Sequence, residues 1–413
     1  MTTASLRPAW IMLLVLISGF ALSQAFRTAA AVMAPPLAQA FTLTPQQLGL
    51  FAGAFHFAFG ALQLFMGMGI DVWGPRRTVL AVFPLTIVGA LLTASADSYA
   101  GLIAGQVLTG IGCAPAFLAC TVFIARRFPS DQYASVNGAA LGIGSVGLLL
   151  TGTPLAWVIA TWGWRAGFVA LAVCAALAWL AILLLVREEG ETPPQRLDVF
   201  AALRGYGELF RLPQTFRIIG LSLFTYASFL ALRGLWLGPL LIDRYGFTLV
   251  QSGHVALALS VLGMVAPPLF GRLDPGDPAR RRRWIIGYTL ACAAIFGAMA
   301  LPLGAVPEVA LALAIGLVSG YMVMQYADVR ASYPAHMTGR AMAVFTMAMF
   351  LGVALMQWLT GLAASAAAVL GVETYTAVFA SMALLLALGT ALYRFLPGPR
   401  PGTLAAEPSQ SAP

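Results

Sequence analysis

Hydrophobic and polar positions along this chain come in long blocks rather than in the short alternations of a water-facing helix or strand. Apolar stretches long enough to cross a ~30 Å hydrocarbon layer run at about residues 9 to 34, 48 to 70, 78 to 96, 100 to 124, 134 to 160, 165 to 186, 216 to 242, 252 to 272, 284 to 302, 308 to 328, 339 to 365 and 375 to 396. Each is about twice the length that a barrel strand needs. An open strand would leave backbone polar groups unsatisfied in lipid, so the blocks predict helices. The expected fold is an all-α membrane protein of twelve transmembrane helices.

Composition agrees with this pattern and removes other classes. Of 413 residues, 60% are hydrophobic and only 9% charged, and the mean hydropathy is +0.87; such a chain cannot supply a water-exposed surface. All 23 basic residues are arginines and give a formal charge of +8. They lie mostly in loops rather than along one groove, which argues against nucleic acid as a partner. Cys113, Cys120, Cys174 and Cys292 all fall inside apolar blocks and offer neither a disulfide framework nor a metal site.

With the N-terminus inside, 19 arginines fall in inner segments and two, Arg165 and Arg244, in outer loops. The positive-inside rule therefore puts both termini in the cytoplasm, as for an integral protein of a bacterial inner (plasma) membrane. The first block resembles a secretory signal in having one arginine before an apolar run, but its counterpart in the second half argues that it is retained.

The chain repeats itself. A shift of 206 superposes Arg27 on Arg233 and Phe41-Thr42-Leu43 on Phe247-Thr248-Leu249. A shift of 204 superposes Gln47 on Gln251, Gly49 on Gly253 and Gly67 on Gly271, and 205 superposes Pro129 on Pro334 and Gly147 on Gly352. The matches recur in chain order at nearly constant offset, so a six-span unit is duplicated. The expected division is an N-terminal bundle over 1–186, a cytoplasmic connector over 187–215, a C-terminal bundle over 216–396, and a Pro-rich, disordered tail over 397–413. Duplicated membrane halves rock against each other about a site at their interface.

The stretch from Gly67 through Asp71 and Gly74 to Arg76 and Arg77 resembles the signature between the second and third helices of the major facilitator superfamily. That signature is a glycine, three residues, an aspartate, two residues, a glycine and a basic cluster. The resemblance implies two pseudo-symmetric six-helix bundles and a cytoplasmic latch made by Gly67, Asp71, Gly74, Arg76 and Arg77. Val72 and Pro75 stand where basic residues are usual. The second-half equivalent, Gly271-Arg272-Leu273-Asp274, is a degraded copy. In the fourth span, Gln106 replaces the arginine common in proton-driven members, and the fifth span lacks the Gly-Pro dipeptide of drug antiporters.

Two charges lie deep. Arg27 comes 17 residues after Trp10 and 14 before Phe41, and Arg233 has the same spacing from Phe216 and Phe247. An arginine at helix centre costs at least ~2.5 kcal/mol, and a guanidinium does not escape by losing its proton. None of the 15 acidic residues falls at mid-span. Two cations related by the repeat and facing one cavity would clamp a carboxylate or phosphate; the alternative is that one or both satisfy themselves on backbone carbonyls or water. The segment from Arg27 to Leu37 with Pro35 resembles the first helix of organophosphate:phosphate antiporters and related organic-anion carriers, which also use an arginine on helix seven. Gln63 stands where those antiporters carry a lysine, which points to a general organic anion, such as a monocarboxylate, rather than a phosphate ester.

Further cavity-lining candidates are Gln24, His56, Gln63 and Tyr226, followed by Trp236, Gln325, Tyr326 and Gln357. For each, a bond between helices competes with ligand contact. His56 is the one mid-span group that titrates near neutrality. The expected protein is therefore a secondary carrier of a small organic anion that works by alternating access, needs no cofactor or metal, and acts as a monomer. The alternative is a proton-coupled multidrug or metabolite exporter of the same superfamily. An enzyme would need a nucleophile, an acid-base pair or a metal cluster at depth, and a nucleotide-driven pump would need a GxxxxGK[ST] loop. The sequence has neither.

Overall fold

The computed structural model describes residues 3–129, 132–187 and 206–398. Most of the expected connector and nearly all of the expected tail lie outside the described residues. Among the described residues twelve helical passes follow one another: α1 (Thr3–Phe41), α2 (45–73), α3 (Pro75–Ala94), α4 (Tyr99–Arg127), α5 (133–162) and α6 (164–185). The second set is α7 (Pro213–Arg244), α8 (Leu249–Leu273), α9 (Pro278–Met299), α10 (Ala305–Ser332), α11 (Ala335–Leu370) and α12 (Thr374–Phe395).

Nine helical stretches among the described residues are by themselves long and apolar enough to cross a membrane, and α2, whose halves meet at 43°, makes a tenth. One of the nine, Ser135–Leu185, has 51 residues, or about 76 Å at 1.5 Å per residue, over twice a bilayer core. Gly163 breaks it at φ +82°, and the chain turns back there, giving α5 and α6. The remaining pass, α9, is less apolar because it begins with Arg280 to Arg283.

The duplication reaches the local structure. Thr44 caps α2 and Thr248 caps α8, and each forms a reciprocal capping box with the glutamine three residues on, Gln47 and Gln251. These are the residues that the 204-residue shift superposes. The capping boxes satisfy amides that would otherwise be orphaned at the helix starts.

The bundles meet where glycines let backbones touch. A Cβ on Gly49 of α2 would collide with the Gln357 carbonyl oxygen of α11, and one on Gly53 would lie 3.1 Å from Ala354 O. Across the other seam, a Cβ on Gly152 of α5 would sit 3.1 Å from Gly253 O of α8. Both contacts lie toward the arginine-poor end. Toward the other end the α5 face that carries Gly152 passes from half-buried Leu148 and Ser145 to exposed Leu141 and Gly138. The facing side of α8 runs from buried Gly253 and Ser260 through half-buried Met264 to exposed Gly271. α5 packs on α8 from Val146 onward, while residues 133–144 make at most sparse contact with it, so the two helices touch at the arginine-poor end and splay at the arginine-rich end.

Candidate functional site

Arg27 sits midway along α1 and is 6% exposed. Nη1 donates to Gln24 Oε1 at 2.6 Å, one helical turn back, and Nη2 to Ser23 Oγ at 3.4 Å. The guanidinium packs against a pair of touching rings, 4.4 Å from the centroid of Phe59 on α2 and 4.6 Å from that of Phe350 on α11, which are themselves 4.5 Å apart. It therefore lies against one aromatic pair to which each bundle gives a ring, with cation–π attraction to both. Nε is buried without a partner. Tyr226 of α7 and Tyr326 of α10 lie close enough to interact electrostatically with it. Tyr226 is half-buried and Tyr326 is 37% exposed.

Arg233 occupies the matching place in α7 and is fully buried. Its surroundings differ. Nε donates to Ser260 Oγ on α8 at 2.8 Å, and Nη2 donates across the seam to Leu148 O at 3.0 Å and Thr151 Oγ1 at 3.2 Å on α5. Nη1 is buried and unpartnered. Among the described residues neither Arg27 nor Arg233 forms an ion pair with a carboxylate.

His56 and Gln357 are buried at 1% and 0% exposure and belong to the same α2–α11 seam. His56 Nδ1 lies 3.0 Å from Ala52 O. A carbonyl only accepts, so Nδ1 carries the proton and Nε2, which has no hydrogen-bond partner, presents a lone pair. Neither side-chain polar atom of Gln357 makes a well-aligned hydrogen bond, although its amide lies within reach of His56. Gly234, next to Arg233, has its Cβ direction 3.2 Å from Arg27 O and 3.7 Å from Gln357 Nε2. The two halves of the site are thus joined through backbone.

The other sequence candidates divide. Gln24 and Tyr226 accompany Arg27. Gln63 follows the bend in α2 at Leu62, and its Nε2 is directed to Phe59 O at 3.5 Å and Ala114 O at 3.4 Å. Trp236 is buried, and its Nε1 donates to Thr360 Oγ1 at 2.8 Å. It borders a cavity of about 380 Å³ at the arginine-poor end, with Pro45, Leu48, Asp243, Glu373 and Tyr375. Gln325 accepts from Thr225 Oγ1 at 3.0 Å and borders a water-sized void of about 10 Å³ beside Asp328 and Tyr393. Ser23, Phe59, Thr151, Ser260 and Phe350 were not legible as site residues. Their side chains carry no mark separating them from ordinary core positions until the bundles are brought together.

At the arginine-rich end, Arg76 donates from Nε to Val186 O at 2.5 Å and from Nη2 to Leu183 O at 2.9 Å, at the C-terminal end of α6. A cation there meets the negative end of the helix dipole. Asp71 is exposed, with Arg126 within electrostatic range. In the second half, Arg281 Nε donates to Asp274 Oδ1 at 2.8 Å, and Arg282 Nε to buried Asp328 Oδ1 at 3.1 Å.

Residues 15–357 match the family model described as Major Facilitator Superfamily. A probable sulfoacetate transporter of Cupriavidus necator is 28% identical over 148 residues, which cover 36% of this chain and 34% of that protein. A hexuronate transporter of Bacillus subtilis is 22% identical over 247 residues, 58% of each chain. The chain thus spans about a third and somewhat over half of the lengths of these relatives. A crystal structure of a D-xylose-proton symporter aligns with TM-score 0.74 at 15% identity, covering 96% of this chain and 99% of that one. An inward-facing, occupied bacterial homologue of the human lysosomal transporter Spinster aligns with TM-score 0.73 at 17% identity, covering 92% and 95%. The family match takes in most of both helical sets, and the fold agrees over nearly the whole chain: this protein belongs to the major facilitator superfamily.

Proposed function

We propose that the protein is a secondary carrier of a small organic anion and that Arg27 is the primary anion-binding group, with Arg233 as its symmetry-related partner. The observation that carries this reading is Arg27 itself: a buried guanidinium packed against the Phe59–Phe350 pair, with no acidic partner among the described residues and with Nε unspent. A permanent cation in such a place is balanced best by an anion that comes and goes. Tyr226 and Tyr326 supply hydroxyls beside it, and Gln24 fixes its orientation. Relatives named for sulfoacetate and hexuronate support the same class. Six helices on each side of the 187–215 connector rock about this site, with Asp71, Arg76 and Arg77 as part of the cytoplasmic latch. With the arginine-rich end in the cytoplasm, the splay between α5 and α8 corresponds to an inward-facing state.

The test is uptake into proteoliposomes of a panel of carboxylates, sulfonates and phosphates beside lipophilic cations. Wild type is expected to move at least one anion, and Arg27→Ala to lose that transport while still folding. Movement of cations alone, unaffected by Arg27→Ala, would refute the assignment and favour the exporter alternative.

A further inference from the structure

α7 departs from α-helical geometry at its arginine. Leu232–Trp236 is a π-helical turn, a local widening found mostly where a side chain has a task, and here it carries Arg233 into the α5–α8 seam. The carbonyl that receives it is available because α5 is broken at the same level. An unbroken helix would direct the Gly152 N–H to Leu148 O. Instead Gly152 N–H donates to Leu149 O at 3.1 Å, and the Gly152 backbone leaves the helical region at φ −86°, ψ −127°. Leu148 O then accepts from Arg233 Nη2 and, at 3.1 Å, from Thr151 Oγ1. Thr151 is in turn paired with Thr28 Oγ1 of α1 at 2.6 Å. Three of the five guanidinium N–H groups are therefore spent, two of them on the opposite bundle.

We infer that Arg233 is a state-dependent anion site: a strut between the bundles while the arginine-poor end is sealed, and an uncovered cation that captures the anion once that end opens. The strut half stands on the geometry alone; the capture half rests on the anion reading above. Parting α5 from α8 removes the Leu148 carbonyl and Thr151 from Arg233 and leaves it only Ser260. A guanidinium in that position cannot neutralise itself, so the open state gains most from a ligand that supplies negative charge. A ligand shifts a conformational equilibrium only through its different affinity for the two states, and here the difference has a named source: the carbonyl and hydroxyl that occupy Arg233 in one state are absent in the other. Closure returns Arg233 to α5 and displaces the anion. Arg27, whose backbone adjoins Gly234, is the next cation in line. The two arginines thus act in sequence, with Arg233 receiving at the arginine-poor side and Arg27 holding on the way to the arginine-rich side.

The experiment uses full-length protein in nanodiscs, in a Cys174→Ser background, with spin labels at Asp97→Cys and Val306→Cys. These exposed positions lie at the arginine-poor end of the two bundles. Distance distributions are recorded without ligand, with sulfoacetate, with glucuronate, and with glucose as an uncharged control. Loss of charge-assisted bonds across the seam is expected to raise the ratio of open to sealed protein about tenfold in Arg233→Ala and in Thr151→Val without any ligand. At least one of the two anions, but not glucose, should lengthen the distance further in wild type and in Thr151→Val, and should have no such effect in Arg233→Ala. Thr151→Val removes a single hydroxyl and keeps the test decisive if Arg233→Ala does not insert. Unchanged ligand-free distances in these variants would overturn the strut. An anion response in Arg233→Ala equal to wild type would overturn capture. If neither anion acts on any of the proteins while the ligand-free variants still open, the strut holds and the capture half falls together with the anion reading.

Discussion

At the scale of single residues, Arg27 and Arg233 share a sequence context but meet different physics. Arg27 is held by an aromatic pair on one side, the Gln24 amide oxygen and the Ser23 hydroxyl, which orient it while leaving Nε unspent. Such a site depends on the flat shape of the guanidinium as well as its charge. Arg27→Lys keeps the charge but loses the planar fork and its packing against the phenylalanine pair; anion transport should fall about tenfold or more, the worth of one to two charge-assisted bonds. Phe350→Leu keeps the charge and the fork and removes one ring face, for which a smaller rise in KM, about three- to tenfold, is expected from the loss of one cation–π contact. Uptake kinetics on the two variants check both. Equal activity in Arg27→Lys and wild type would mean that this packing plays no part in recognition. That the two arginines lie deep was legible from their spacing to flanking aromatic residues. That Arg233 spends its donors on α5 was not, because its main acceptor, Leu148 O, is a backbone atom and bears no sequence signature.

At the scale of elements, glycines with similar sequence settings have separate tasks. A Cβ on Gly147 would run into Ala21 O of α1, inside one bundle, whereas one on Gly49 would run into Gln357 O of α11, across the seam. Overpacking costs about 1–3 kcal/mol. In Gly147→Ala it should appear as a lower melting temperature, and in Gly49→Ala as a shift away from the sealed state with little loss of stability. Thermal unfolding together with a distance measurement across the arginine-poor end separates the two. The junction of α7, α10 and α12 gives a pH prediction. Burial works against the ionised form of Glu373, but hydrogen bonds from Arg244 and from the Thr376 and Tyr375 amides outweigh it and hold the carboxyl below its ordinary value of 4.5. A depressed value means stability that is present at neutral pH and lost as pH falls below about 4.5 through the folded-state value. Glu373→Gln should lower the neutral-pH melting temperature and flatten its fall in acid; an unchanged acid profile would remove Glu373 from that role. The helical passes were legible because hydropathy comes in blocks of membrane length, and the capping boxes of α2 and α8 because threonine and glutamine carry them locally. The 43° bend at Leu62, the π-turn at Arg233 and the break at Thr151–Gly152 were not. They arise where helices from different parts of the chain compete for space and for hydrogen bonds, and only Gly152 and Pro154 hinted at one of them.

At the scale of the whole molecule, the conformation follows from one pair of helices in contact at one end and apart at the other. Facing residues on α5 and α8 change from buried to exposed toward the arginine-rich end, and the seal at the opposite end is built from close glycine contacts at Gly49, Gly53 and Gly152, of which Gly49 leaves no room for a Cβ. A small displacement cannot relieve such contacts partially: packed interfaces switch between arrangements rather than stretch. The two ends should therefore exchange accessibility in opposition. With the Cys174→Ser background, Leu141→Cys on the splayed face should react quickly with a membrane-impermeant thiol reagent applied from the arginine-rich side, and Ala156→Cys, buried at the seal, slowly from either side. The positive-inside distribution makes the arginine-rich side the cytoplasmic one, so Leu141→Cys should be labelled in inside-out vesicles and protected in right-side-out ones. Reaction of Leu141→Cys only from the outside would reverse the orientation, while equal reactivity of both positions would mean that the bundles do not alternate about this seam. Thr151→Val added to the Leu141→Cys protein should slow its labelling from the cytoplasmic side: weakening the seal at one end populates the state in which the other end is closed.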